Sequence, residues 1–253
     1  MRGVSLCLVL ALCSLLSAIG TQAQEQDYTL VLKQGVNGYY GTTDTYMYRD
    51  YPTTNYGTSY YIRVYRTADR VDQNGLIKFD LSGQIPQGAV ITSAILSLNV
   101  CELVNFDTND WADVGVYRVG QYRDWVETQA TWNVFKGSSY WSQGGAEYVP
   151  SDHAANPDSV IRFYKTSPTG YYHWTVTSSV QAWYGGSAAN NGWLVRIAGN
   201  DGSGGEGVTF YSKEYSSSWR PYLTINYTLI PEPSSILALS AGLFGLLALR
   251  RKR

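Results

Sequence analysis

Apolar and polar residues alternate along most of this chain with a period of two, in short runs separated by Gly, Asn, Asp and Ser. That pattern specifies half-buried strands rather than helices. Tyr28 to Lys33 and Thr43 to Arg49 read as the first two strands, followed by a turn-rich stretch from Asp50 to Gly57. In Tyr60 to Tyr65, Ile62 and Val64 face one way while Tyr61, Arg63 and Tyr65 face the other. Leu76 to Leu81 places Ile77, Phe79 and Leu81 opposite Leu76, Lys78 and Asp80. Val90 to Val100 is a long strand with Ile91, Leu98 and either Ile95 or Leu96 inward. Asp113 to Val119 follows, then Ser159 to Tyr164, with Ile161 and Phe163 inward and Arg162 and Tyr164 outward. Trp193 to Ala198, Val208 to Lys213 and Tyr222 to Tyr227 supply the last strands. Ala130 to Gly145 reads as a loop rich in Trp and Gly, and Thr175 to Tyr184 as a short helix or an irregular segment. The sum is an all-β chain, an antiparallel β-sandwich.

The two ends break this pattern. Met1-Arg2, an apolar run from Val4 to Leu16 and small residues to Ala23 are the parts of a secretory signal peptide. Cleavage after Ala23, with Thr21 at −3, fits better than cleavage after Gly20. Cys13 follows Leu12 where a lipobox needs a small residue, so a lipoprotein reading is set aside. At the other end Pro231-Glu232-Pro233 precedes an apolar run from Ile236 to Leu249 and a basic end, Arg250-Arg251-Lys252-Arg253. The run is short for a span of roughly 20 residues, and its basic flank keeps that end cytoplasmic. This order resembles the PEP-CTERM sorting signal, which exosortase-type membrane proteases of Gram-negative bacteria read. The resemblance implies a tail helix that anchors the chain in the inner membrane for a time, cleavage near Pro231-Glu232-Pro233, and release to the cell surface or exopolysaccharide matrix. The expected segments are therefore 1–23, a domain over 24–230, and 231–253.

Several pieces of the domain stand in a fixed order: Asp44-Thr45-Tyr46, Asn55-Tyr56-Gly57, Leu76 to Leu81, Ile85-Pro86-Gln87-Gly88, Val116 to Val119, Trp125-Val126-Glu127 and Ala130-Thr131-Trp132-Asn133. Val180-Gln181-Ala182-Trp183, Asn190-Asn191-Gly192, Ser212-Lys213-Glu214 and Arg220-Pro221-Tyr222-Leu223 complete it. This order resembles the DNRLRE domain, a jelly-roll β-sandwich of bacterial surface and secreted proteins, over about residues 28 to 228. The resemblance implies a jelly roll and, from those members that are modules of alginate-degrading enzymes, carbohydrate binding. The pieces also have direct physical readings. Pro86 and Gly88 make a turn before the long strand. Trp125, Thr131 and Trp132 plug one end of the sandwich, with Glu127 accepting hydrogen bonds from loop backbone.

Charge narrows the partner. Five of the 19 basic residues and one of the 20 acidic residues lie in the two terminal segments, which leaves 14 against 19 and a net charge of −5 for the domain. Nucleic acid wants a basic surface and is not expected. Only Cys101 remains in the domain, so no internal disulfide forms. The 22 Tyr and 8 Trp offer flat apolar faces with polar edges, which suit sugar rings, although aromatics are also ordinary strand formers. The candidate ligand face gathers the outward residues Arg63, Tyr65, Lys78, Arg162, Tyr164, Arg196 and Lys213. Arginine forks pair with carboxylates, so an acidic polysaccharide is the expected ligand if these side chains share a face; an ordinary solvated sheet is the alternative.

Catalysis and metal binding have weaker support. His153 beside Asp152 and His173 after Tyr172 are the two histidines; no nucleophile elbow or metal-binding His pair is present, and no carboxylate pair stands out for glycoside hydrolysis. No enzyme activity and no cofactor is expected. The oxygen-rich loops at Asp107, Asp110 and Asp113 and at Asp201 to Glu206 suit a structural Ca²⁺, but neither carries a spaced calcium motif. A structural matrix protein without a defined glycan site is the competing function.

Overall fold

The computed structural model describes residues 25–229 apart from residue 203. The expected signal segment and tail helix lie outside these residues. Among the described residues no helix is long and apolar enough to cross a membrane. Tyr28–Tyr227 form one compact unit.

The unit is built from strands, with one short helix. In chain order they are β1 Gln26–Lys33, β2 Thr42–Tyr48, β3 Tyr61–Arg66, β4 Val71–Phe79, β5 Ala89–Val104, β6 Trp111–Arg118, β7 Val134–Lys136, β8 Ser139–Tyr140, β9 Ser159–Tyr164 and β10 Gly170–Thr175. Helix α1 spans Thr177–Tyr184, followed by β11 Trp193–Asn200, β12 Glu206–Tyr211 and β13 Tyr222–Leu229. The ladder runs β1-β13-β5-β12-β3-β4-β11-β6-β9, with β10 added to β5 and β2 added to β4. The described ladders are antiparallel, as a sandwich of this kind requires.

Two strands hold the layers together. β2 pairs with β4 from Gln73 to Phe79. The other edge of β4 is shared, meeting β3 at Val71 and Gln73 and β11 from Gly75 to Ile77. In the same way β5 pairs with β10 from Ile95 to Val100 and with β12 from Val100 to Val104. The sheet therefore folds back on itself rather than continuing flat. Ile62, Val64, Phe79, Leu96, Leu98, Val114, Val195 and Phe210 are all essentially inaccessible, and they fill the space between the layers, as their alternation predicts. Trp174 of β10 crosses this core. It is fully buried, meets Phe210 edge-on at 5.9 Å, and donates its indole N–H to the Val114 carbonyl of β6 at 3.0 Å.

A second apolar cluster lies on the other face of β2, β4, β11 and β6. Met47, Leu76, Leu194 and Val119 pack there under Trp125, Trp132, Phe135 and Trp141. The covering segment runs from Gly120 to Asp158 and contains the small β7–β8 ladder, so the stretch read as a loop has a hairpin within it. Buried Asp152 organises this cover: its two oxygens accept bonds from Arg123 Nε and from the backbone N–H groups of Ser142, Gln143 and Tyr148.

Two further differences from the sequence reading have local causes. Tyr172-His173 reads in the sequence as alternating into a strand end, and it lies within a full strand, β10, whose ends the uneven polarity of Tyr171-Tyr172-His173-Trp174 does not mark. β4 begins at Val71, earlier than its apolar run; its polar first half is held by specific partners, with Asp72 bridged by Arg49 and Arg70. At the Pro86–Gly88 turn Gly88 takes φ +82°, a conformation that costs glycine nothing.

Replacing Trp174 by Phe removes the buried indole donor to the Val114 carbonyl and opens a small void. Unfolding by urea should show a loss of about 2–4 kcal/mol, the sum expected for a lost buried hydrogen bond and a partial cavity, with no change in the strand signature by circular dichroism.

Candidate functional site

The seven predicted ligand residues divide according to what covers them. Alternation puts Asn74, Leu76 and Lys78 of β4 on one face with Leu194 and Arg196 of β11, since Leu194 stands opposite Leu76. That is the face under the Trp-rich cover. Lys78 Nζ lies 4.9 Å from the Trp125 ring centre and 3.4 Å from the Trp125 carbonyl oxygen, and burial lowers its pKa. Arg196, with 15 % of its side chain exposed, pairs with Glu147 at 2.7 Å; Glu147 also accepts a bond from Asn74 Nδ2 at 2.5 Å. Arg196 lies beneath the cover, while Lys78 sits half-buried at its edge and lines a groove of about 690 Å³ with Thr43, Asp80, Trp183 and Tyr184. The period-two pattern assigned their side correctly, but could not reveal that a distant segment closes over it.

Lys213 is likewise engaged. Its ammonium pairs with Glu214 and lies 3.3 Å from Glu127 Oε1, with 15 % of the side chain exposed. Asp44, essentially buried, accepts the Lys213 backbone N–H at 2.8 Å and donates its own backbone N–H to Glu127 at 2.7 Å. Asn55 Nδ2 donates to the carbonyls of Glu127 and Ala130, both at 2.7 Å. Gly57 lies so close to the Glu127 carbonyl that an added Cβ would come within 2.4 Å of it. Asp44, Asn55-Tyr56-Gly57, Glu127 and Lys213-Glu214 therefore converge on a polar lock joining β2, the cover and the segment after β12. Glu127 accepts backbone N–H as expected, from strand β2 rather than from its own loop. Burial raises the Asp44 pKa well above the usual carboxylate range, reinforced by the nearby Glu214 and Glu127 charges and opposed by the Lys213 backbone N–H and ammonium.

Arg162 and Tyr164 stand on β9, separated from β3 in the ladder by β4, β11 and β6. Arg162 is exposed yet committed: its fork closes on both oxygens of Asp113 at 2.7 and 2.8 Å, and its guanidinium stacks 3.8 Å from the Trp111 ring centre. Tyr164 is exposed beside it.

Arg63 and Tyr65 are different. Both project from β3 on the face away from Ile62 and Val64, opposite Thr209 and Gly207 of β12. They line a groove of about 590 Å³ with Tyr48, Gln73, Glu102, Asn105 and Thr209 among its walls. The Arg63 guanidinium rests over two tyrosine rings, 5.6 Å from Tyr61 and 5.8 Å from Tyr46, and Tyr46 is itself stacked on Tyr56 at 4.2 Å. Of the five predicted cations it alone is both exposed and without a carboxylate partner among the described residues. Tyr65 accepts a bond from Asn105 Nδ2 at 3.1 Å. The predicted residues thus form no single patch; two of them share a groove, and the groove adds aromatic and amide neighbours that alternation could not assign to it.

The remaining chemical candidates are dispersed. His153 is buried, with Nδ1 2.6 Å from the Ala154 carbonyl oxygen and its ring edge-on to Tyr117 at 5.0 Å; burial lowers its pKa. His173 lies on β10 with Nδ1 2.8 Å from Ser97 Oγ. Among the described residues no group of three or more His, Cys, Asp or Glu side chains is arranged to hold a metal ion. Of the acidic-loop residues, Asp113 is the partner of Arg162 and Glu206 is buried against Asn200.

Residues 37–136 match the family model described as carbohydrate-binding module family 96. Residues 229–253 match the PEP-CTERM protein-sorting motif. No curated protein matches the chain. The first match, over 100 of the 253 residues, points to carbohydrate binding, and the second indicates export and sorting by an exosortase. The DNRLRE likeness rests on motif order alone.

The lock carries a testable sign. Asp44 binds its proton more tightly in the folded chain than in the unfolded one, so its contribution is greatest below the ordinary carboxylate pKa. That contribution falls as pH rises toward the raised folded value. Asp44→Asn keeps an oxygen for the Lys213 N–H and removes the titration. Urea midpoints measured from pH 4 to pH 8 should therefore show the variant gaining on the parent as pH rises.

Proposed function

We propose that the chain is a non-catalytic polysaccharide-binding protein of the bacterial cell surface or extracellular matrix, and that its ligand carries carboxylates. The observation that carries this reading is the unpaired Arg63 guanidinium, exposed in a groove and backed by Tyr61 and Tyr46. A planar guanidinium meets a carboxylate through two parallel N–H···O bonds, and a uronate unit presents one such group per ring. The Tyr65 hydroxyl, the Gln73 amide and the Thr209 hydroxyl border the same groove and suit sugar hydroxyls. The tyrosines beneath the arginine hold it outward, so less side-chain freedom is lost on binding. The non-enzymatic reading draws on the separation of the two histidines and on the family match, whose description is that of a binding module. The domain reading assigns 24–230 to the binding unit and Pro231-Glu232-Pro233 to the exosortase site in a Gram-negative envelope, after transient anchoring by the tail.

Arg63→Gln should weaken binding to a polyuronate by at least about tenfold, the loss of one charge-assisted pair. Its melting temperature should stay unchanged, because the side chain is exposed and unpaired. Isothermal titration at two salt concentrations checks this: the parent's affinity should fall with added NaCl and the variant's should fall less. Equal affinity of parent and variant would remove Arg63 from the site.

Replacing Pro231-Glu232-Pro233 by three alanines should leave the protein in the inner-membrane fraction, where immunoblotting of fractionated cells would find it. Release of the variant to the surface at the parental rate would contradict the sorting assignment.

A further inference from the structure

The same sheet face continues past Arg63 into a patch of different chemistry. Tyr61, two residues before Arg63 on β3, stands opposite Tyr211 of β12. Tyr215 stacks on Tyr211 at 4.0 Å with the planes 15° apart, and Tyr61 lies at 6.1 and 6.4 Å from these two rings within 30° of parallel. Trp219 meets Tyr211 at 6.3 Å and is 45 % exposed. Beside them is a cleft of about 200 Å³ lined by Asn99, Val100, Cys101, Thr169, Gly170, Tyr211 and Trp219.

No charged side chain lines this cleft. Burial raises the Cys101 thiol to about 11, so it too is neutral at physiological pH. Asn99, only 2 % exposed, forms part of the wall. The cleft thus pairs an uncharged wall with the faces of Trp219 and Tyr211. A pyranose fits such a surface, through its apolar ring C–H face and its uncharged hydroxyls.

We propose that this cleft is a second glycan subsite, one that takes an uncharged sugar ring stacked on Trp219 and Tyr211. The inference rests on the polysaccharide reading above and deepens it. Thr209 borders the Arg63 groove and Tyr211 borders the cleft, two residues apart on one strand, so the subsites are separated by roughly 7 Å along the strand direction. One polymer can occupy both. The ligand is then a mixed polysaccharide, with an acidic unit at Arg63 and a neutral unit at Trp219, rather than a polyuronate alone. Trp219, Tyr211 and Thr169 all lie beyond the residues matched to the binding-module family.

The test compares the intact chain with Trp219→Ala, Tyr211→Ala and Arg63→Gln on three probes: polygalacturonate, a neutral galactomannan, and xanthan, which carries both kinds of unit. Trp219→Ala and Tyr211→Ala should each lower xanthan and galactomannan affinity by about tenfold, the scale of a lost aromatic stacking contact, and leave polygalacturonate affinity intact. Arg63→Gln should do the reverse on polygalacturonate and galactomannan and weaken xanthan. Thermal melting of each variant separates loss of the site from loss of the fold. Because Trp219 is exposed, its variant should melt with the parent and carry the decision even if Tyr211→Ala does not. Unchanged affinities in a folded Trp219→Ala, alongside a weakened Arg63→Gln, would overturn the neutral subsite and leave the polysaccharide reading standing. Failure of the parent to bind any of the three would overturn both.

Discussion

Strand β4 lies inside two apolar clusters at once, and this requirement organises the molecule. Its Ile77 and Phe79 face the space between the layers while Leu76 faces the opposite way, and all three are fully buried. β11 repeats the arrangement with Val195 and Leu194. A layer that is apolar on both faces cannot leave one of them in water, since each exposed side chain of this size would forfeit about 1.5–3 kcal/mol of burial. The segment from Gly120 to Asp158 supplies the missing cover with Trp125, Trp132, Phe135 and Trp141. A cover with so little regular structure needs polar anchors, because its backbone groups lack ladder partners. Asp152 provides one, and the Asp44–Glu127–Lys213 lock provides another.

This division explains where charge ends up. Lys78 and Arg196 belong to the covered face, so each satisfies its cation within the protein, one on an indole and a carbonyl, the other on Glu147. Lys213 does the same at the lock. The β3–β12 face has no such cover, and there Arg63 rests on tyrosine rings and makes no ion pair among the described residues, although Asp50, Asp72 and Glu102 line the same groove. Surface that the fold does not need for its own closure is the surface left for a ligand.

Strand placement was largely legible in the sequence because period-two alternation is a local property. Ile62 and Val64 inward, Arg63 and Tyr65 outward, and the β9 pattern of Ile161 and Phe163 against Arg162 and Tyr164 all appear as read. The site was legible only in part, for a physical reason. Alternation tells on which side of a strand a residue lies and says nothing about what comes to rest on that side. Whether Lys78 meets water depends on Trp125, 47 residues later in the chain. The motif residues Asp44, Asn55, Glu127 and Lys213 stood out as a set, and their convergence gives that set a structural reason: it fixes the cover. The aromatic cleft gave no signal, because Tyr211, Trp219 and Asn99 are ordinary residues of strands and turns until folding brings them together.

The distribution of charge also constrains how any acidic polymer could be held. The domain carries a net charge of −5 by sequence, and Asp50, Asp72 and Glu102 border the same groove as Arg63. Long-range attraction of a polyanion is therefore absent, and beyond a Debye length of about 8 Å the protein's field is screened in any case. Recognition has to come from contacts at touching distance: one guanidinium fork, flat rings and amide or hydroxyl partners. Each is individually modest. A polymer, however, presents the same unit many times, and several copies of an exported protein can bind along it. Linked weak contacts then add through effective concentration rather than through the strength of any one site. A surface with an unpaired arginine and a row of tyrosines suits that mode of binding, because it would hold a polymer while leaving each contact free to exchange.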